Sequence, residues 1–214
     1  MQVIRIVKKG KNDVIIHFDD EKILILALEV FLKSGLKKID KISEDRFLFL
    51  IEQNKLFHIK QRAFRLLGRR QHSTSELKRK LWNKDYDSKL IDEVIEDLNK
   101  QGYLDDKEFI REFLAEKSKA KSWSSRRIKS ELIKKGIAIK LIDETLNDQP
   151  EEIEKENLHK LAQKKYEQLI KRNLEPKELK VKLTTFLLSK GFEYDLVREI
   201  FSNIVKNNRE EFDN

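Results

Sequence analysis

The sequence predicts a mainly α protein: an elongated, curved array of three tandem three-helix repeats, preceded by a small N-terminal β-strand segment. Three observations lead there. The tetrapeptide Leu-Ile-Asp-Glu at Leu90–Glu93 returns letter for letter at Leu141–Glu144. The same offset of 51 residues pairs Leu77 with Ile128, Leu81 with Leu132 and Ile95 with Leu146. A further offset of 55 pairs Ile128 with Leu183, Leu132 with Leu187, Gly136 with Gly191, Ile142 with Val197 and Leu146 with Phe201. A spacing that holds across two helices and their turn marks one unit copied three times. One such unit buries too little apolar surface alone, so neighbouring copies must stack.

Residues 1 to about 42 read differently from the rest, and the N-terminal segment of β meander plus helix is expected to span 1–55. Val3–Val7 and Val14–Phe18 are β-branched runs separated by the turn-forming Lys8–Asp13, and Ile23–Leu28 is a third strand candidate. An antiparallel meander fits, followed by a short helix over Glu29–Ser34 that stops at Gly35. Ser43 then suits an N-cap before Glu44 and Asp45. Phe47, Leu48, Leu50 and Ile51 begin an apolar face that Leu56, Phe57, Phe64 and Leu67 continue. Whether Glu52-Gln-Asn54 splits this into two helices the sequence leaves open.

The first repeat occupies 56–104, with Ser73 or Ser75 capping its second helix and Asp87 or Ser88 its third. Leu77 and Leu81, then Leu90, Ile91, Val94, Ile95 and Leu98, point inward. The second repeat, 105–149, opens on Asp105-Asp106 and buries Phe109, Ile110, Phe113 and Leu114. Ser122, Ser124 and Ser125 offer its next cap, ahead of inward Ile128, Leu132 and Ile133. The third repeat, 150–206, has a longer first helix, Glu151 to about Asn173, and Pro176 at N1 of its second. Residues 207–214 read as a polar tail.

Composition excludes several classes. There is no cysteine, so neither a disulfide framework nor a thiolate metal site exists, which suits a reducing cytosol. The longest apolar run, Ile23–Leu28, is far too short to cross a bilayer, and a cytoplasmic monomer without membrane contact is expected. His17, His58, His72 and His159 are scattered; Asp105, Asp106 and Glu108 form the only tight carboxylate group, and helix capping accounts for it. The six glycines fall at element ends rather than in a phosphate-cradling loop. These patterns point away from catalysis, with no cofactor and no metal.

Charge follows the repeat. The chain carries a net charge of +8, but the distribution says more than the total. Between Lys60 and Lys84 the bases include Arg65, Arg69, Arg70, Lys78 and Arg79, with Glu76 the only acid. From Asp85 to Asp97 the sign reverses. Copy two repeats this with Lys121, Arg126, Arg127, Lys129, Lys134 and Lys135, followed by Asp143, Glu144 and Asp148. Copy three does so more loosely, through Lys160, Lys164, Lys165 and Lys171 before Glu193, Asp195 and Glu199. Solvated helix faces with internal ion pairs explain any one lysine; recurrence in three copies favours an interaction surface for a long charged partner. Trp82, Tyr86 and Trp123 lie at these junctions. They suit base stacking, a protein anchor, or packing between repeats.

Leu67-Gly-Arg-Arg-Gln-His-Ser73, Glu76-Leu77, Lys80-Leu81, Gly102-Tyr-Leu-Asp-Asp106 with Phe109, Arg126-Arg-Ile128, Glu131-Leu132 and Lys135-Gly-Ile137 together resemble the RecX regulatory family. The resemblance is good over Gln61–Leu146 and weaker in the third copy. Two departures stand out: Ser122-Trp123-Ser124, where the family usually has a glycine-containing turn, and the long first helix of copy three. The resemblance implies a non-catalytic protein that lies in the groove of the RecA recombinase–single-stranded DNA filament and usually inhibits it. The alternatives are a helical-repeat protein that binds DNA or RNA directly, and a scaffold for a purely protein partner. The binding set expected from the basic junctions is Arg65, Arg69, Arg70, Lys78, Arg79, Trp82, Lys121, Trp123, Arg126, Arg127, Lys129, Lys134 and Lys135.

Overall fold

A computed structural model describes residues 1–146 and 151–210, without the side chains of 119–121, 151–153 and 205–210. The described chain is mainly helical with one small sheet. Met1–Leu104 form one compact unit and a second begins at Asp105.

In the first unit β1 (Val3–Lys9), β2 (Asp13–Phe18) and β3 (Ile23–Ala27) make an antiparallel meander in that order. The register Val14↔Leu26 and Ile16↔Leu24 puts every second side chain on one face, where Val14, Ile16, Phe18, Leu24 and Leu26 are buried. Helix α1 (Leu28–Ser34) stops at Gly35, whose φ of 70° is the left-handed conformation that glycine takes without strain. Helix α2 (Glu44–Leu67) then runs unbroken for 24 residues, its first turn capped by the Ser43 hydroxyl, which accepts from the Arg46 N–H. The question left at Glu52-Gln-Asn54 resolves in favour of one helix, because Asn54 has a tertiary task. Its Oδ1 accepts from the Ala27 N–H at 2.8 Å and its Nδ2 donates to the Ile25 carbonyl at 3.2 Å. Those are the open-edge groups of β3, which would otherwise lack partners.

The boundary expected at 55/56 lies inside α2. Its N-terminal half gives Phe47 and Leu50 to the sheet core. Its C-terminal half gives Ile59, Ala63 and Leu66 to the core shared with α3 (Thr74–Trp82) and α4 (Ser88–Lys100). Leu48, expected on the apolar face, is 54% exposed, since successive positions on a helix lie about 100° apart and Phe47 already faces inward.

The second unit holds α5 (Asp106–Lys121), α6 (Ser125–Lys134), α7 (Ile139–Leu146), α8 (Glu151–Ile170), α9 (Pro176–Ser189) and α10 (Tyr194–Glu210). Positions related by the repeat share one environment: Leu77, Ile128 and Leu183, Leu81, Leu132 and Leu187, and Ile91, Ile142 and Val197 are all at most 1% exposed. Each contributes about 1.5–3 kcal/mol by leaving water. Caps follow local chemistry, with the side chains of Ser73, Asp87, Asp105 and Ser124 accepting from first-turn N–H groups. Ile133, expected inward, is 41% exposed, because Leu132 takes the buried position. Helix α8 ends at Ile170 rather than near Asn173, which has φ 48°. Helix α10 reaches Glu210, so the expected tail from 207 is helical over its first four residues; 211–214 and the Gln149-Pro150 link lie outside the described residues. Among the described residues no helix is long and apolar enough to cross a membrane.

Candidate nucleic-acid interface

The turn into α3 is built from charge held inside the protein. Ser73 caps the helix by accepting from the Glu76 N–H at 3.1 Å. The Glu76 carboxylate is 6% exposed and is forked by the Arg70 guanidinium, with Nη1 at 3.0 Å and Nη2 on the other oxygen. Arg70 also donates to the Gln71 carbonyl at 2.7 Å. His72, 5% exposed, places Nδ1 3.2 Å from Glu76 Oε2, off the line of a hydrogen bond. Burial pushes the imidazole below its ordinary value, against the upward pull of Glu76, and the Arg70 charge adds to the lowering. Arg70 therefore serves the fold first.

Along the outer side of α3, Ser75, Lys78, Arg79 and Trp82 recur at helical spacing and line a shallow depression of about 330 Å³ with Ile91 at its base. Trp82 is 65% exposed, so it does not fill space between helices. Arg79 is exposed, as are Arg65 and Arg69 at the end of α2 and in the turn after it. Among the described residues none of these three has a carboxylate at ion-pair distance, although Arg65 donates to the Gln61 carbonyl at 3.4 Å.

Part of the alternating charge has an internal cause. Lys78 pairs with Asp92 at 2.5 Å, tying α3 to α4. Its repeat partner, Lys129, pairs with Asp143, tying α6 to α7 in the same way. Such half-exposed pairs contribute roughly 0–1 kcal/mol each, and they account for one base and one acid of the alternation in each of the first two copies. In copy three the corresponding positions are Thr184 and Arg198, and the tie is gone.

In the second unit the α6 N-terminus is clamped onto the third copy. The Ser124 N–H donates to the Lys190 carbonyl at 3.1 Å, and Glu154 accepts from the Ser125 N–H at 3.1 Å and its hydroxyl at 2.5 Å. Arg127 donates to the Ser189 carbonyl while its guanidinium lies 4.4 Å from the Trp123 ring centroid. Trp123 is half-buried against Phe113, with ring centroids 6.5 Å apart. Arg126 reaches Glu193 at 3.6 Å, Lys134 pairs with Glu131 at 2.7 Å, and the Lys135 ammonium lies 5.7 Å from the Phe109 ring and 5.6 Å from Phe113. The Lys121 side chain lies outside the described residues.

The expected set thus divides. Arg65, Arg69, Arg79 and Trp82 project from the first unit, with Lys78 beside them. Arg70, Trp123 and Arg127 are spent on internal contacts, and Arg126, Lys129, Lys134 and Lys135 have neighbours of their own chain. One basic feature was not in that set. A cleft of about 450 Å³ between the end of α5, α8 and the end of α9 is lined by Lys160, Lys164, Lys165 and Lys190. The sequence signal was the spacing of Lys160, Lys164 and Lys165, which puts them on neighbouring parts of one helical surface.

Comparison with known proteins is uniform. Family models for the first, second and third three-helix domains of RecX match residues 60–98, 105–146 and 152–201. Regulatory protein RecX of Clostridium botulinum (strain Alaska E43 / Type E3) is 29% identical over 197 residues, covering 92% of each chain. That of Clostridium beijerinckii is 29% identical over 205 residues, covering 96% of this chain and 95% of the relative. A crystal structure of regulatory protein RecX superposes with a TM-score of 0.71 at 21% identity, covering 94% of this chain and 98% of the other. The RecX structure from Lactobacillus salivarius gives 0.62 at 22% identity, over 71% of this chain and 97% of that one.

Proposed function

This chain belongs to the RecX family of regulatory proteins, and from that premise we propose that it is a non-catalytic inhibitor of the RecA recombinase, acting by lying along the RecA–single-stranded DNA filament. The observation that carries the reading is the outer face of α3. There an exposed Trp82 stands beside Arg79, which has no carboxylate partner among the described residues, and beside Lys78, which is half-exposed and pairs with Asp92. Cations of this kind reach phosphates, and an exposed indole stacks on a base or anchors in a protein pocket. A mixed protein–DNA polymer offers both.

A second reading is favoured by the same face: Trp82 with adjacent cations suits a naked single strand as well as a filament. Titration of the chain into RecA-catalysed, DNA-dependent ATP hydrolysis separates the two. Inhibition, with tighter binding to filament than to free strand or DNA-free RecA, supports the filament reading. Tight binding to free strand with hydrolysis unchanged replaces it with the second.

A further inference from the structure

We propose that the lysine-lined cleft of the second unit binds the sugar–phosphate backbone of a single nucleic-acid strand. This site is separate from the α3 face and does not depend on engagement with RecA.

Three walls form it. Lys160, Lys164 and Lys165 come from α8, Lys190 from the C-cap of α9, Ser118 from the last turn of α5 and Ser122 from its C-cap. Among the described residues four lysines and no carboxylate line the cleft. Lys160 is partly neutralised at the rim by Glu156 at 2.6 Å. Lys164 and Lys165 have no carboxylate at ion-pair distance among the described residues. The Lys164 and Lys165 ammonium groups, neighbours in one concavity, repel each other, a cost relieved when an anion enters.

Phe186 decides what kind of contact the cleft offers. The Lys165 ammonium lies 4.8 Å from its ring centroid and that of Lys190 5.3 Å. The ring holds both cations in place, and the cations occupy the ring, so it is not available to stack on a base. What the lining offers a ligand is donors: ammonium groups, the amide N–H groups of Asn157 and Gln168, and the hydroxyl of Ser122. Those donors recognise phosphate oxygens. Lys160 and Lys164 are one helical turn apart, about 6 Å along the axis, on the scale of the step between neighbouring phosphates in an extended strand. The cleft therefore reads backbone and ignores sequence, whereas Trp82 on α3 is placed to meet bases.

The test uses the full-length chain and fluorescein-labelled oligodeoxythymidylate of about 16 nucleotides, with anisotropy followed against salt. In the Lys164→Gln, Lys165→Gln double variant, affinity at low salt should fall at least about tenfold. The slope of log affinity on log salt should become less negative by about 1.4, two phosphate contacts at about 0.7 each on a single strand. Lys164→Arg with Lys165→Arg should restore most of both, and oligodeoxyadenylate should show the same loss. An unchanged thermal transition shows that the Gln variant is folded; if it unfolds, the Arg pair and its salt slope decide. Unchanged affinity and slope overturn the proposal, as does binding abolished by Trp82→Ala but untouched by the double variant. Displacement of the strand by pyrophosphate at equal phosphate concentration overturns the strand assignment in favour of a small-anion site.

Discussion

Gly191 leaves no room for a side chain beneath Arg127: a Cβ there would stand 2.6 Å from the Arg127 Cβ and 2.6 Å from Ser124 Oγ. Its φ of 93° is strained for any L side chain as well. Gly191→Ala must therefore push the α9–α10 turn off the α6 N-terminus. A loss of about 2–4 kcal/mol is expected by urea denaturation, combining overpacking with backbone strain. Gly10→Ala is the control: its φ is 64°, with nothing within 4 Å of the added carbon, so only the backbone term of about 1 kcal/mol applies.

The two tryptophans should respond in opposite ways. Trp82→Ala should leave stability within about 0.5 kcal/mol, since the indole is 65% exposed, yet weaken filament or strand binding about fivefold to tenfold. Trp123→Ala removes the platform under Arg127 and the contact with Phe113, and should cost about 2 kcal/mol of stability. Denaturation and anisotropy on the same two proteins give the comparison.

A pH dependence should trace to His72. Burial holds the folded-state imidazole below its ordinary 6.5, so on acidification the unfolded chain takes up that proton first. The stabilising contribution is complete above that value and is lost as pH falls from there through the folded-state value. Melting temperature should drop as pH falls below about 6.5, and His72→Gln, which stays neutral, should flatten that segment. Asp97, Glu131 and Glu156 are held below the usual carboxylate range, chiefly by hydrogen bonds from Lys60, Lys134 and Lys160, so their losses come at more acidic pH and survive the substitution.

Asn54→Leu should be worse than its helix propensity suggests. Leucine is the better helix former, but it leaves the Ala27 N–H and Ile25 carbonyl without a partner on a half-buried edge. A cost of about 1–3 kcal/mol is expected, with faster amide hydrogen exchange at Ala27 than in the parent protein.

What the sequence made legible was whatever is local or periodic. Caps at Ser43, Ser73, Asp87, Asp105 and Ser124 depend on side chains two or three residues from the groups they satisfy. The repeated core depends on a helical period that Leu81, Leu132 and Leu187 display openly. Contacts between distant segments stayed hidden. Nothing near Arg127 announces the Ser189 carbonyl, which is 62 residues away, and nothing in Asn54 announces a strand edge. The sign alternation of the repeats was visible, but the Lys78–Asp92 and Lys129–Asp143 ties supply an architectural cause that a string of letters cannot separate from a binding surface. Ser122 shows the limit from the other side: it adopts the left-handed φ 49° and ψ 46° that glycine takes most readily, with its N–H donating to the Lys117 carbonyl.

Helix α2 carries an implication for dissecting this protein. Phe47 and Leu50 at one end and Ile59, Ala63 and Leu66 at the other commit a single rod to two hydrophobic clusters. A deletion that removes the strands would strip the covering from half of that rod while the remainder stayed anchored. Shortened versions that begin near residue 56 would lose the rod's capped start and should fray or aggregate, so effects seen in them would not measure a detachable appendage. Grafting experiments between relatives should exchange Met1–Leu104 whole.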